Sequence, residues 1–193
     1  MVKRLLSLGG MLALAAPLAL AQTTTWTPDP AHTEVDFSAL HMSLSKVHGR
    51  FGKVTGVLHY DAADVTKSSV QIAIDVTGVD TGVAMRDSDL KSANFFDLAQ
   101  YPAATFASTS VAKSGDGLTI AGNLTVHGIT KPVTLHADAP IGPVEGMGNK
   151  QHMGFSATAT VDRTAFGLGM KYPNAAIGDA IQLTIEMDAV RQP

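Results

Sequence analysis

Apolar and polar residues alternate with a period of two along most of this 193-residue chain. From Glu34 to Met42, Val35, Phe37 and Ala39 alternate with Glu34, Asp36 and Ser38. From Ser69 to Thr77, Val70, Ile72, Ile74 and Val76 share one face; from Gly154 to Asp162, Phe155, Ala157, Ala159 and Val161 do the same. Asp179 to Val190 sets Ile181, Leu183, Ile185, Met187 and Ala189 against Gln182, Thr184, Glu186 and Asp188. Successive side chains of a strand point to opposite faces, so this pattern specifies half-buried strands. Between the strands, Trp26-Thr27-Pro28-Asp29-Pro30 reads as a tight turn, Asp61 to Asp64 as a turn, Ser114-Gly-Asp-Gly117 as a hairpin turn and Ile141 to Gln151 as a Gly-rich loop. Lys46 to Asp61 reads as one strand bent at Gly49, Gly52 and Gly56. The count is about eight strands in one antiparallel sandwich or barrel. Strand length, a single apolar face and few signs of edge protection favour the barrel.

Met85 to Ser110 departs from the alternation. Asp87, Asp89 and Leu90 read as the first turn of a short helix spanning about residues 86–97, since carboxylates suit a helix N-terminus. Phe95-Phe96 reads as its apolar anchor, and Tyr101-Pro102 returns the chain to strand. In a barrel, this stretch is expected to cross the mouth and form the upper wall of whatever the barrel holds.

The chain opens with Lys3 and Arg4, an apolar run from Leu5 to Leu20 and Ala19-Leu20-Ala21 before Gln22. That is the pattern of a secretory signal peptide over residues 1–21, with cleavage after Ala21 and a single domain over 22–193. The expected location is outside the cytoplasm, with no stable membrane insertion. Without Lys3 and Arg4, 12 Lys and Arg stand against 17 Asp and Glu, a net charge of −5. Such a chain has no electrostatic footprint for nucleic acid or anionic membranes. With no cysteine, it has neither disulfide staples nor thiol chemistry.

No constellation of catalytic residues stands out. There is no Gly-x-Ser-x-Gly elbow and no phosphate-cradling Gly-rich loop ahead of a helix. None of the seven histidines has the helical spacing of a metalloprotease, and they read as surface or capping residues, so no metal or other cofactor is expected. The apolar face admits two readings: a packed core or the wall of a cavity. An eight-stranded barrel is about wide enough to fill with its own side chains or to hold one small ligand. The inward positions are modest Val, Ile, Ala and Thr, with a single Trp in the chain. Face and aromatic content nominate Phe37, Ile72, Phe95, Phe96, Phe106, Phe155 and Phe166 as lining. Arg86 and His41 are nominated for a polar head, guanidinium being a good carbonyl or phosphate partner; the competing role for Arg86 is to pair with a carboxylate and orient its loop.

An ordered set of short motifs spans nearly the whole chain after residue 21: Trp26 with Asp29 and Ala31-His32-Thr33; Phe37 to Met42; Val47 to Phe51 with Gly56; Thr81 with Arg86-Asp87 and Leu90; Phe95 to Asp97; Tyr101-Pro102; Phe106 with Ser108-Thr109; Gly122 to Thr125 with Gly128 to Lys131; and Arg163 with Phe166-Gly167-Leu168. In these the chain resembles the YceI-like family of bacterial lipocalin-like, polyisoprenoid-binding proteins. Thr33 departs from the usual Ser, and Ile141 to Gln151 has no counterpart in the pattern. The resemblance implies an eight-stranded antiparallel lipocalin-like barrel whose lumen takes a polyprenyl chain, an isoprenoid quinone or a fatty amide. It further implies a periplasmic, often homodimeric protein of lipid transport, storage or stress response. The resulting expectation is a binding protein rather than an enzyme. The alternatives are an enzyme acting on an amphiphilic lipid, with His and carboxylates at the mouth, and an interaction domain with a filled core.

Overall fold

The computed structural model describes residues 23–193; the expected signal segment lies outside the described residues. Ten strands follow in chain order: β1 (Thr24–His41), β2 (Ser45–Arg50), β3 (Val54–Tyr60), β4 (Ser69–Asp75), β5 (Ala103–Ser114), β6 (Gly117–Val126), β7 (Ile129–Ala137), β8 (Ile141–Glu145), β9 (Gln151–Asp162) and β10 (Ile177–Arg191). Helix α1 (Ala84–Lys91) lies between β4 and β5. All pairings are antiparallel. The path β10-β1-β3-β4-β5-β6-β7-β9 closes on itself because β9 also pairs β10, from Asp162 opposite Ala180 to His152 opposite Val190. Eight strands therefore form a closed barrel, the architecture expected from the alternation. The two remaining strands are accessories: β2 pairs with the far half of β1, and β8 hairpins onto β9.

Closure gives each of the eight barrel strands a partner on both sides, though β7 meets β9 at only two residue pairs and β1 meets β3 at only three. It also sorts side chains by the strand period. On β10, Gln182, Thr184 and Glu186 are exposed while Met187 and Ala189 are buried. Two bulges shift this phase. β1 slips between Pro28 and Thr33, so buried positions pass from Trp26 and Pro28 to Thr33 and Val35. β5 slips between Ser108 and Ser110, passing from Ala104 and Phe106 to Val111. β1 carries three extra residues there and β5 one; an odd number of extra residues in one strand of a pair turns every later side chain to the other face.

Four segments differ from the reading of the sequence. Trp26 to Pro30 is not a turn: the chain continues through it as β1, and the proline-bracketed residues form its bulge. Lys46 to Asp61 is two strands rather than one, broken at Phe51–Lys53 where Gly52 donates its N–H to the Asp75 carbonyl. Ile141 to Gln151 is not a loop throughout, since it carries β8 and a 3-10 turn at Met147–Asn149. The helix begins at Ala84 and ends at Lys91, short of the expected 97, because Ser92 caps the Asp89 carbonyl through both its N–H and its hydroxyl. The chain then turns so that Phe95 and Phe96 are buried (7% and 8% exposed).

Candidate functional site

Four connections gather at one end of the barrel: β1–β2 (42–44), β4–β5 with α1 (76–102), β6–β7 (127–128) and β9–β10 (163–176). They surround the opening of a cavity of about 1060 Å3. Val35, Phe37 and Ala39 of β1, Ile74 of β4, Leu124 and Val126 of β6, and Ile181 and Leu183 of β10 form its wall. Phe95, Phe96, Phe166, Leu168 and Tyr172 form its upper rim. A second space of about 100 Å3 lies deeper, and Val35, Ile74, Leu124 and Leu183 line both. These four side chains make a waist between an upper chamber and a small lower one.

The lumen is not filled by its own side chains. Ile181, Leu183 and Ile185 line the two spaces yet are only half-buried, as are Ile72, Ile120, Val133, Leu135 and Phe155. In a packed interior such residues would be fully covered. The barrel is therefore a container, and the filled-core alternative does not describe it.

Aromatic contacts shape the upper chamber. Phe37 and Phe51 meet with ring centroids 5.0 Å apart, Phe51 meets Phe96 edge-on at 5.8 Å, and Phe95 stacks on Tyr172 at 5.6 Å. The polar groups at the mouth are largely committed to one another. The Thr81 hydroxyl donates to Asp87 Oδ1 and accepts from Arg86 Nε at 2.7 Å, while Arg86 Nη2 donates to the Thr81 carbonyl at 3.0 Å. The Thr81 hydrogen bond holds the Asp87 carboxyl below the usual range. Asp89 accepts from Asn94 Nδ2 at 2.7 Å and from Tyr172 Oη at 2.8 Å. The Asn94 bond, with Tyr172 and the nearby Lys171, outweighs desolvation and lowers its pKa as well.

Arg163 fixes the β9–β10 connection. It is 3% exposed. Its Nη1 donates to the carbonyls of Leu168 and Gly169, and its Nη2 to those of Tyr172 and Ile177 and to Asp179 Oδ1 at 2.7 Å. Nε reaches the Gly178 carbonyl at 3.3 Å. One planar guanidinium thus holds a loop that would otherwise leave carbonyls unpaired.

Six of the nine nominated site residues come together at the upper chamber: Phe37, His41, Arg86, Phe95, Phe96 and Phe166. Ile72, Phe106 and Phe155 line the lower space instead. His41 is exposed on the rim. Arg86 orients its loop through Thr81, not through an ion pair with a carboxylate, and Nη1 has no acceptor among the described residues. The reading of the sequence missed Phe51, Tyr172 and the waist residues Val35, Ile74, Leu124 and Leu183. Phe51 sat in a motif beside glycines that masked its phase; Tyr172 lies in a long connection with no periodicity to read.

An open-mouthed antiparallel barrel around an apolar chamber is the class of protein defined here. The chain belongs to the YceI-like domain family, which matches residues 26–189. It is 35% identical over 171 residues to a UPF0312 protein of Vibrio cholerae, spanning 87% of this chain and 89% of that one. Its barrel is also similar to the crystal structure of BcnA from Burkholderia cenocepacia, with a TM-score of 0.75 over 83% of this chain and 98% of that one at 24% identity. A polyisoprenoid binding domain from Saccharophagus degradans shares the fold at a TM-score of 0.63 and 14% identity, covering 89% of this chain and 100% of that domain.

Proposed function

We propose that this protein binds and carries one long apolar ligand, a polyisoprenoid, an isoprenoid quinone or a fatty amide, with the tail in the lumen and the polar head at the mouth. The observation that carries the reading is the unfilled apolar chamber. At about 30 Å3 per water-sized group, 1060 Å3 accommodates about 35 carbon-sized groups. Burying about 400 Å2 of apolar ligand surface contributes about 10 kcal/mol, against at least about 4 kcal/mol of lost rigid-body freedom. The fold shared with the polyisoprenoid binding domain from Saccharophagus degradans supports the same class of ligand.

Arg86 Nη1 and the exposed His41 are the groups available to a ligand carbonyl, hydroxyl or phosphate. Binding is favoured over catalysis because His41 has no carboxylate partner among the described residues to orient it as a base. Exposed apolar side chains continue the lumen outward: Leu40, Met42, Val83 and Met85 border the opening, and Leu44 stands on the same β1–β2 turn as Met42. They give an apolar tail a path out of a bilayer. The leader pattern at residues 1–21 supports action in the periplasm, as a carrier or a store.

The test is retention of a long-chain isoprenoid quinone through gel filtration after exchange from detergent. Wild-type protein is expected to elute with about one quinone per chain. Equal retention by Leu183→Trp, which places an indole in the chamber, would overturn lumen binding.

A further inference from the structure

A second cluster of chemistry-bearing side chains lies on the outer wall, away from the mouth. Asp188 is on β10 between the buried Met187 and Ala189, so it faces outward. On neighbouring β9, His152 sits opposite Val190, and its Nδ1 is 2.9 Å from Asp188 Oδ1. Asp29 arrives from the third strand. The β1 bulge between Pro28 and Thr33 carries Asp29 to His32 over this part of β10. One donor atom from each of Asp29, His152 and Asp188 lies within 4.8 Å of the others, and all three residues are half-buried. His32 extends the set, its Nδ1 being 3.1 Å from Asp29 Oδ2.

We propose that Asp29, His152 and Asp188, joined by His32, form a binding site for a divalent transition-metal cation of the zinc type. The donor set carries the assignment. Imidazole nitrogens with carboxylate oxygens suit zinc and its first-row neighbours, whereas magnesium and calcium take oxygen alone. The spacing is near: ligands at about 2.0–2.2 Å from one tetrahedral zinc ion stand about 3.3–3.6 Å from each other, a few tenths of an ångström beyond the 2.9 Å between His152 Nδ1 and Asp188 Oδ1. For Asp29 to close the remaining distance, its carboxylate exchanges its hydrogen bonds to the Ala31 N–H and His32 for the metal.

Charge points the same way. Two carboxylates are held close together, and among the described residues neither is salt-bridged to a lysine or arginine: Asp188 meets the His152 imidazole, and Asp29 meets the His32 imidazole and the Ala31 N–H. A divalent cation relieves that repulsion. The His152 ring is also held in place. It packs against Gly146, where an added Cβ would stand 2.5 Å from its Cδ2 and force the ring to shift. The His152 ring and the outward Asp188 carboxylate come from two paired strands, and Asp29 and His32 from the bulge of the third. The site touches neither chamber and stands whether or not the lumen binds lipid.

The experiment uses tag-free protein stripped with a chelator and dialysed, titrated with zinc chloride in a calorimeter. One zinc per chain is expected, with at least a tenfold loss of affinity in Asp188→Asn and in His152→Gln, a smaller loss in His32→Ala, and no competition from equimolar magnesium. In wild-type protein, the imidazole nitrogen resonances of His152 are expected to shift up to one equivalent of zinc and then stop; that readout stands even if a variant fails to fold. Unchanged zinc affinity in folded Asp188→Asn and His152→Gln, magnesium competing equally, or a His152 signal unmoved at one equivalent would each overturn the site.

Discussion

Arg163 bonds five backbone carbonyls and one carboxylate from a position 3% exposed. Removing a buried, fully bonded charge strands all its partners. Arg163→Ala is expected to lower stability by about 3–5 kcal/mol, and Arg163→Lys to restore only part, because three ammonium donors cannot reproduce the planar fork. Denaturant unfolding measures both; an unchanged midpoint in Arg163→Ala would show that the loop holds itself. At this scale the sequence was half legible. Arg163 stood out as a motif residue, but its bonds run to backbone atoms, and carbonyls carry no sequence signature. Arg86 was legible as a mouth residue because it lies at the helix start. Its actual partner, Thr81, is a residue whose hydroxyl could have bonded to almost anything.

Between elements, the Tyr172 hydroxyl joins the β9–β10 connection to α1 through Asp89, across 83 residues of sequence. The bond closes one side of the mouth. The Asp89 pKa is depressed in the folded protein, so its contribution is fully present above the unfolded value of about 3.9 and is lost as pH falls through the lower folded value. Ligand release is therefore expected to quicken only below about pH 4, and Tyr172→Phe is expected to release faster than wild type at neutral pH. Stopped-flow transfer of a fluorescent lipid to acceptor vesicles checks both; identical release by Tyr172→Phe and wild type would remove the bond from the account. The strands themselves were legible, because alternation is local. Bulges were not: Val35 after Trp26 and Val111 after Phe106 break phase, and a break in phase looks like a strand end. The proline pair at Pro28 and Pro30 reinforced that misreading, although proline is tolerated at a bulge.

For the whole molecule, the waist of Val35, Ile74, Leu124 and Leu183 sets how deep a chain can run. Leu183→Ala is expected to join the two chambers and shift retained ligands toward longer chains, at a stability cost of about 2–5 kcal/mol. Leu183→Trp is expected to shift them toward shorter chains. Mass spectrometry of lipids bound from a graded polyprenol mixture reads the shift, and an unchanged length profile in both variants would deny the waist its role. That the apolar face lines a space could be suspected from side-chain size but not decided, since filling depends on how eight strands tilt and close. The central claim is that the lumen holds one long apolar chain. The most direct measurement is native mass spectrometry of the protein purified without detergent from a bacterial export host, followed by lipid extraction of the same sample. The account predicts one apolar lipid of about 30–40 carbons per chain; a chain that stays ligand-free there and after incubation with excess polyprenol or isoprenoid quinone would contradict it.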